Sequence, residues 1–274
     1  SDGSTEKERL AVSTLGRIVE FSRHLGMKAP AVLVVGRVVN SLLNFKGRRV
    51  AAFRSSEDVR RTRLLIKQAG GIPNVFEICE IVPAGHELQH VAAEKWDTLV
   101  FMSASGVRSA AKFFDLKRYT LIAVGKTTQR ELERRGCRHV RVPPIQNLNG
   151  VRQLLREKKF GRVLAFRSPL AEEKLEGAVN VIAYQIKPKE ITRAVRAYLK
   201  TKNDFTLLTS SGLLGYLLKA ADDIGLRQEF VDSINSSFVI SLGEGITRVA
   251  LENGIKVNYE PPAPNLESLF QEVG

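Results

Sequence analysis

Short apolar runs alternate with longer amphipathic stretches along most of the chain. Uninterrupted runs such as Val50–Phe53 are typical of parallel strands that are covered on both faces. Helix signals lie between the runs: Ser55–Asp58 places two serines before two acidic residues, which favours a helix start, and Gly70 ends that helix. Gly136 likewise ends a helix that begins near Thr127. The pattern predicts alternating strands and helices.

Three segments of the sequence occur twice in related form. Each is a short apolar run that ends in small residues and continues into a helix-like pattern. A repeated unit of strand, tight turn and amphipathic helix predicts two open α/β sheets, with ligands beyond the carboxyl ends of the strands. The paired segments are Arg49–Ser55 with Arg162–Ser168, Asp97–Ser103 with Asp204–Ser210, and Leu121–Gly125 with Val239–Gly243.

The charge balance narrows the range of partners. The 274 residues include 42 Lys and Arg against 29 Asp and Glu, a net charge of +13. Such an excess is typical of proteins that bind nucleic acids, anionic membranes or polyanionic small molecules. The sequence has one Trp and five Tyr, fewer aromatic residues than nucleic-acid binding usually requires. Charge alone leaves the three partners open.

Patterns for membrane insertion, export and cysteine-based metal binding are missing from the sequence. It has no apolar run of about 18 residues, and its polar N-terminus has no signal region. Cys79 and Cys137 do not have the spacing of metal ligands. We therefore expect a cytoplasmic protein without a bound metal.

Both repeats carry the same motifs in the same order: a strand ending in arginine, a Thr-Ser pair or a variant of it, and a glycine followed by threonine. Their order and spacing resemble the uroporphyrinogen-III synthase family. Met102 stands where the family has threonine, and Gly243 precedes Thr247 by one residue more than Gly125 precedes Thr128. The matching segments are Ala51–Arg54, Met102–Val107, Val124–Thr128, Leu164–Arg167, Tyr184, Thr209–Gly212, Gly243–Thr247, Pro261–Pro264 and Leu266–Val273.

The resemblance covers roughly residues 47–274 and implies a fold. It is an α/β fold of two flavodoxin-like domains, each with an open parallel sheet, joined by a two-stranded connector, with the active site between them. Domain one would comprise residues 47–81 and 188–274, and domain two residues 82–187.

Residues 1–46 resemble a different family, the C-terminal end of uroporphyrinogen-III methyltransferases. The matching pieces are Thr5–Arg9, Ser13–Leu15 and Pro30–Val39. We expect this segment to be a remnant or linker that forms a short helix and a strand. Methyl transfer is not expected, although the native chain could carry a methyltransferase domain upstream.

The resemblance also implies a reaction. Synthases of this family cyclise hydroxymethylbilane, four linked pyrroles bearing eight carboxylates, to uroporphyrinogen III with loss of water and inversion of ring D. The reaction belongs to tetrapyrrole (heme, siroheme and cobalamin) biosynthesis. It needs no cofactor, because the azafulvene left by the departing hydroxyl reacts unaided and the enzyme must chiefly hold the chain in position. The implied partner is a small polyanionic tetrapyrrole, not nucleic acid or a membrane.

Site residues follow from the matching motifs. Tyr184 is the candidate proton donor to the departing hydroxyl, with a packing role as the alternative. The arginines would bind carboxylates or form structural salt bridges, and the serines and threonines would bind substrate or cap helices. The candidate substrate-binding residues are Arg54, Ser103, Ser105, Thr128, Arg167, Ser168, Ser210, Ser211 and Thr247.

Other functions remain as rivals. His86–His90 has the His-Glu-x-x-His pattern of zinc proteases, but Trp96–Met102 reads as a buried strand where a long helix and a third ligand are required, so we predict no zinc site. A non-catalytic, two-lobed module that binds an anionic ligand, in effect a degenerate synthase, is the main alternative. A nucleic-acid-binding protein is a weaker one.

Overall fold

Each of the six repeated segments contains a parallel strand in the computed structural model. The structure describes residues 10–13, 15, 16, 18–36, 43–171, 173–261 and 265–273. Within them the strands are β1 (Arg49–Ser55), β2 (Ile72–Pro83), β3 (Thr98–Phe101), β4 (Thr120–Ala123), β5 (Val163–Arg167), β6 (Val179–Ile182), β7 (Tyr184–Pro188), β8 (Phe205–Leu208) and β9 (Phe238–Ser241).

The helices lie between these strands, as the amphipathic pattern predicts. They are α1 (Ile18–His24), α2 (Ser56–Gln68), α3 (Gly85–Ala92), α4 (Ala104–Ala110), α5 (Lys126–Glu133), α6 (Leu148–Glu157), α7 (Ile191–Leu199), α8 (Ser211–Asp223), α9 (Arg227–Asn235), α10 (Glu244–Glu252) and α11 (Leu266–Val273). In the described part of the chain none of these helices is both long and apolar enough to cross a bilayer.

The chain divides into two compact units. Unit one consists of Ser1–Cys79 and Pro188–Gly274, and unit two of Glu80–Lys187. The α/β class with parallel sheets, predicted from the sequence, is confirmed. In the described residues the chain passes between the units within β2 and at the end of β7, and these two strands are neighbours in one sheet.

Unit one has a sheet of order β7-β2-β1-β8-β9, in which β1 pairs in parallel with β2 and β8, and β8 with β9. Alternate residues of β1 face opposite sides. Ala51 and Phe53 pack against α7 to α10, whereas Val50 and Ala52 pack against α2 and α11. Both faces are therefore covered, which explains why the strands are continuously apolar.

Unit two has a wholly parallel sheet of order β4-β3-β5-β6. Leu99 and Phe101 of β3 face a core that includes Val107 of α4 and Leu132 of α5. Val100, between them, faces the opposite core with Val151 of α6. This sheet is also buried on both sides.

The two sheets have the same strand order once the repeats are matched. Strands β2, β1, β8 and β9 of unit one correspond to β6, β5, β3 and β4 of unit two. The register also agrees, since Val50 pairs with Phe205 and the equivalent Val163 pairs with Thr98. The second half of each repeat precedes the first half in unit two, so the copies are circularly permuted.

Hydrogen bonds at the amino ends of the strands repeat as well. The Arg162 amide donates to Asp97 Oδ2 at 2.6 Å, and the Arg49 amide donates to Asp204 Oδ2 at 2.7 Å. The Nη1 atoms of both arginines donate to a lysine carbonyl at 3.2 Å. The duplication predicted from three short segments therefore extends to individual contacts.

One predicted helix is wrong. No helix follows β5 in the described residues 168–171 and 173–178, although α2 follows the matching strand β1. The Asn180 side chain accepts the Leu175 amide at 2.9 Å and donates to the carbonyls of Leu175 and Ala178 at 2.9 and 2.8 Å. These bonds satisfy loop backbone groups that a helix would otherwise pair.

The N-terminal segment packs on unit one. Val12 forms a bridge with Tyr259, and Phe21 and Leu25 are buried in the core beneath α8 and α9. The expected short helix is present as α1, but the expected strand is wrong for Pro30–Gly36, which has no strand partner and leaves Val32 89 % exposed. Residues 1–9 and 37–42, to which other parts of that prediction refer, lie outside the described residues.

Candidate functional site

The carboxyl edge of unit two gathers six of the predicted site residues. Strands β5, β3 and β4 are neighbours and parallel, so the residues that follow them meet at one edge of the sheet. Tyr184 joins this edge because β6, the neighbour of β5, ends two residues before it. The six are Ser103, Ser105, Thr128, Arg167, Ser168 and Tyr184.

Arg167 ends β5 and is only 6 % exposed. Its Nη2 donates to the Ala171 carbonyl at 2.6 Å. In the described part of the chain no carboxylate oxygen lies within 4.0 Å of its guanidinium. A buried guanidinium with a neutral partner retains both its charge and spare N–H donors, so it is suited to a carboxylate ligand.

Ser103 and Tyr184 are brought together from positions 81 residues apart in the chain. Ser103 caps α4, its Oγ accepting the Gly106 amide at 3.1 Å. The Tyr184 hydroxyl lies 3.5 Å from the same Oγ, which is longer than an ordinary O–H···O bond. Tyr184 is 6 % exposed and packs in the core of unit two. Its hydroxyl is therefore held beside Ser103 without a short bond.

Ser105 belongs to a cluster that sequence reasoning missed. Its Oγ accepts a hydrogen bond from Arg108 Nη2 at 2.9 Å, and Arg108 Nη1 lies 3.8 Å from Glu131 Oε2. Glu131 is buried and also pairs with Arg135 at 2.8 Å and with Arg134 at 3.6 Å. One carboxylate thus anchors three guanidiniums.

The other two candidates of unit two have local roles. Ser168 Oγ accepts the Leu170 amide at 3.2 Å within the turn after β5. Thr128 is buried in the first turn of α5. Thr128 is therefore shielded from solvent, whereas the partly exposed Ser168 keeps its hydroxyl hydrogen for a ligand and lies beside Arg167.

The carboxyl edge of unit one holds the remaining four candidates, and there the arginine is paired. Arg54 Nη2 lies 3.1 Å from Asp58 Oδ2, with both side chains partly buried. Asp58 also accepts from Ser55 Oγ at 3.3 Å. The structural salt bridge considered as an alternative for Arg54 is what the structure contains.

Ser210 and Ser211 begin α8. Ser210 is its N-cap, accepting the Leu213 amide at 3.4 Å, and Ser211 is exposed at the first helical position. Thr247 is 1 % exposed, and its Oγ1 donates to Glu260 Oε2 at 2.6 Å. Because a hydroxyl has one hydrogen, Thr247 has none left for a ligand in this arrangement.

The described residues do not support a metal or thiol site. His86 and His90 lie one turn apart on the exposed side of α3, and no group of three or more His, Cys, Asp or Glu side chains in the described ranges could hold a metal ion. Burial raises the pKa of the Cys79 thiol to about 11, and burial also raises the pKa of Cys137. Neither thiol has the lowered pKa of a nucleophile.

A comparison with protein-family models identifies the family of the chain. The family model described as uroporphyrinogen-III synthase HemD matches residues 60–271. The chain belongs to the uroporphyrinogen-III synthase family. Membership does not favour the alternative of a non-catalytic binding module. The match does not include residues 1–46, so the methyltransferase resemblance of that segment stays a prediction.

The fold is similar to that of a solved uroporphyrinogen III synthase. A mutant uroporphyrinogen III synthase from the extremely thermophilic bacterium Thermus thermophilus is 19 % identical, with a TM-score of 0.54 over 82 % of this chain and 96 % of that one. The uroporphyrinogen-III synthetase of Helicobacter pylori is 16 % identical, with a TM-score of 0.48 over 81 % of this chain and 97 % of that one. No curated protein matches the chain.

Proposed function

We propose that this protein cyclises hydroxymethylbilane to uroporphyrinogen III, with loss of water and inversion of ring D. It would then be a lyase of tetrapyrrole biosynthesis, and units one and two would be its two synthase domains. The observation that carries the proposal is the family match over residues 60–271. The buried Arg167 and the nearby Ser103–Tyr184 pair supply groups that suit such a substrate.

The substrate accounts for the charge of the protein. A net charge of +13 attracts a polycarboxylate and raises its local concentration. Arg167 would bind one substrate carboxylate, since its guanidinium is already desolvated and oriented by the Ala171 carbonyl. Ser211, exposed at the start of α8, would supply a neutral hydrogen bond from unit one.

The reaction requires positioning more than chemical assistance. Loss of the hydroxyl leaves an azafulvene that reacts readily, and unassisted closure would give the type I isomer. The enzyme must hold the chain so that the substituted carbon of ring D attacks and a spiro intermediate then rearranges. Correct placement of two reacting groups lowers the barrier by removing most of the entropy cost.

Tyr184 is the proposed proton donor to the departing hydroxyl. A phenol donates a hydrogen bond without a charge, so it does not repel the substrate carboxylates. Burial holds the ring in place, and its 3.5 Å separation from Ser103 Oγ leaves the phenolic hydrogen uncommitted to a short bond. Proton donation of this kind typically accelerates a reaction by about 10²–10⁴-fold.

The product isomer tests the proposal directly. Hydroxymethylbilane is generated in situ with and without the protein, and types I and III uroporphyrin are separated after oxidation. We expect type III to predominate when the protein is present, with or without a chelator. An unchanged type I fraction would refute the synthase activity. Activity that chelation removes and zinc restores would instead point to His86 and His90.

A further inference from the structure

The duplicated fold allows the two carboxyl edges to be compared position by position. Several matched positions differ in charge, and at three of them the difference is an acidic residue in unit one. Unit one carries an acidic residue at each, whereas unit two carries a neutral or basic one. The matched pairs are Asp58 with Ala171, Glu244 with Lys126, and Glu260 with Val142.

The first pair determines which group each of the two arginines binds. Asp58 lies four residues after Arg54 and pairs with it at 3.1 Å. Ala171 lies four residues after Arg167, so the matching guanidinium binds a backbone carbonyl at 2.6 Å instead. An anion that reached Arg54 would have to displace a carboxylate, whereas one that reached Arg167 would meet a guanidinium that no carboxylate of the described residues pairs with.

The second pair occupies the first position of matched helices. Gly243 precedes Glu244 at the start of α10, and Gly125 precedes Lys126 at the start of α5. An acidic residue stabilises a helix N-terminus, and a lysine there is unfavourable. Both side chains are exposed. The charge of Lys126 therefore does not stabilise α5, and its exposed side chain is accessible to an anionic ligand at this edge.

The third pair comes directly after two matched residues, Tyr259 and Arg141. Each of these forms an isolated parallel bridge, Tyr259 with Ile240 of β9 and Arg141 with Ile122 of β4. Glu260 is 5 % exposed and accepts the Thr247 hydroxyl. Val142, at the matched position, has no charge. The edge of unit one thus contains a buried carboxylate at this position, whereas the matched residue of unit two is apolar.

Arg108 adds a third cation to unit two. The matching position in α8 is Gly215. Nη1 of Arg108 lies near the Glu131 carboxylate, and Nη2 of Arg108 donates a hydrogen bond to Ser105 at the start of α4. The side chain remains partly exposed, so a ligand at this edge can reach it.

We propose that the carboxyl edge of unit two binds the substrate carboxylates through Arg167, Arg108 and Lys126, and that the edge of unit one does not. This division of carboxylate binding between the two edges rests on the proposed function. The three cations follow three adjacent strands, which span about 10 Å, so they suit several carboxylates on one ligand. Unit one would contact uncharged parts of the substrate.

Reciprocal charge reversals at the second pair test the division. Lys126→Glu places an acid at the edge of unit two, and Glu244→Lys places a base at the edge of unit one. The readouts are the KM for hydroxymethylbilane and the Kd of benzenehexacarboxylate, a polycarboxylate without pyrrole rings. We expect Lys126→Glu to raise both about tenfold, and Glu244→Lys to raise neither. Equal increases in the two variants would overturn the division.

A transplanted salt bridge gives a second, independent test. Ala171 is exposed, so Ala171→Asp should fold while offering Arg167 the partner that Arg54 already has. We expect the Kd of benzenehexacarboxylate to rise about tenfold with an unchanged Tm, and Ala171→Asn to match the parent protein. An unchanged Kd for Ala171→Asp would contradict the role of Arg167.

The two proposals fail in different ways. Suppose that the parent protein forms no type III product but binds benzenehexacarboxylate, and that Lys126→Glu abolishes this binding. The proposed synthase activity is then refuted, and the proposed division between the two edges is supported. If type III product forms while reversals in either unit have equal effects, the division falls and the activity stands.

Discussion

At the scale of single residues, the Tyr184 hydroxyl is the group whose removal is most informative. Tyr184→Phe keeps the buried ring and removes only the donor, which has no short bond to lose. We expect type III formation to slow by at least about tenfold, while the Tm barely changes. The rate of product formation and a thermal melt measure the two effects.

Tyr198 provides the matched control. It is also buried, but its hydroxyl lies 2.8 Å from Thr206 Oγ1, a short bond within the core of unit one. Tyr198→Phe should therefore destabilise the protein by about 1 kcal/mol and leave the rate unchanged. If Tyr184→Phe also melts early and keeps its rate, Tyr184 has a packing role.

The Cys79 thiol gives a prediction on pH. Burial raises its pKa to about 11 in the folded protein, above the value of about 8.5 for an exposed thiol. The neutral thiol is thus favoured by folding, and its contribution is complete below the unfolded pKa and lost as pH rises through the folded one. We expect urea stability to fall between about pH 9 and 11, and to fall less steeply in Cys79→Ala. Parallel pH profiles for the two proteins would contradict this.

Some of the site could be predicted from the sequence, and some could not. The partner of Arg54 was predictable, because Asp58 lies four residues on, in the first turn of the helix that follows β1. The hydrogen bond between Thr247 and Glu260 could not be predicted. It depends on the bridge between Tyr259 and Ile240, which places the next residue, Glu260, beside Thr247. Tyr184 and Ser103 meet only because β6 lies next to β5, which no local pattern specifies.

At the scale of elements, the aspartates at the amino ends of β3 and β8 perform the same task twice. Asp97 and Asp204 accept the amides of Arg162 and Arg49, joining each strand to its neighbour. We expect Asp97→Ala and Asp204→Ala each to cost about 1 kcal/mol, since both bonds are exposed. Urea unfolding measures the cost.

A nearby acidic residue that lacks such a bond is the control. Glu157, at the end of α6, is exposed and accepts only from Gln153 Nε2 of its own helix in the described structure. Glu157→Ala should change the free energy of unfolding by much less. Equal costs for all three variants would show that loss of charge, not the bond to the strand, causes the effect.

The strands were predictable because a strand covered on both faces must be apolar throughout, as Val50–Phe53 is. The missing helix after β5 was not, because it depends on Asn180, which binds the loop from the next strand. The strand predicted for Pro30–Gly36 is wrong for a similar reason. Its residues suit a strand, but no neighbouring strand in the described structure offers hydrogen bonds.

At the scale of the whole molecule, the net charge of +13 should make ligand binding depend on salt. Raising ionic strength screens the attraction between the protein and a polycarboxylate. We expect the Kd of uroporphyrinogen III to rise steadily with NaCl concentration. Duplex DNA of equal charge should compete poorly for the protein. Tight, salt-sensitive DNA binding without tetrapyrrole affinity would reverse this expectation.

The permuted duplication has a consequence for biosynthesis of the chain itself. Strand β1 lies between β2 and β8 in the sheet. Arg49 of β1 is hydrogen-bonded to Asp204, which precedes β8 and lies 155 residues further along the chain. All four strands of unit two lie between them. As the nascent chain leaves the ribosome, unit two can complete its sheet first. Strand β1 meanwhile waits with one edge unpaired, so partly made chains are the ones that need protection by chaperones.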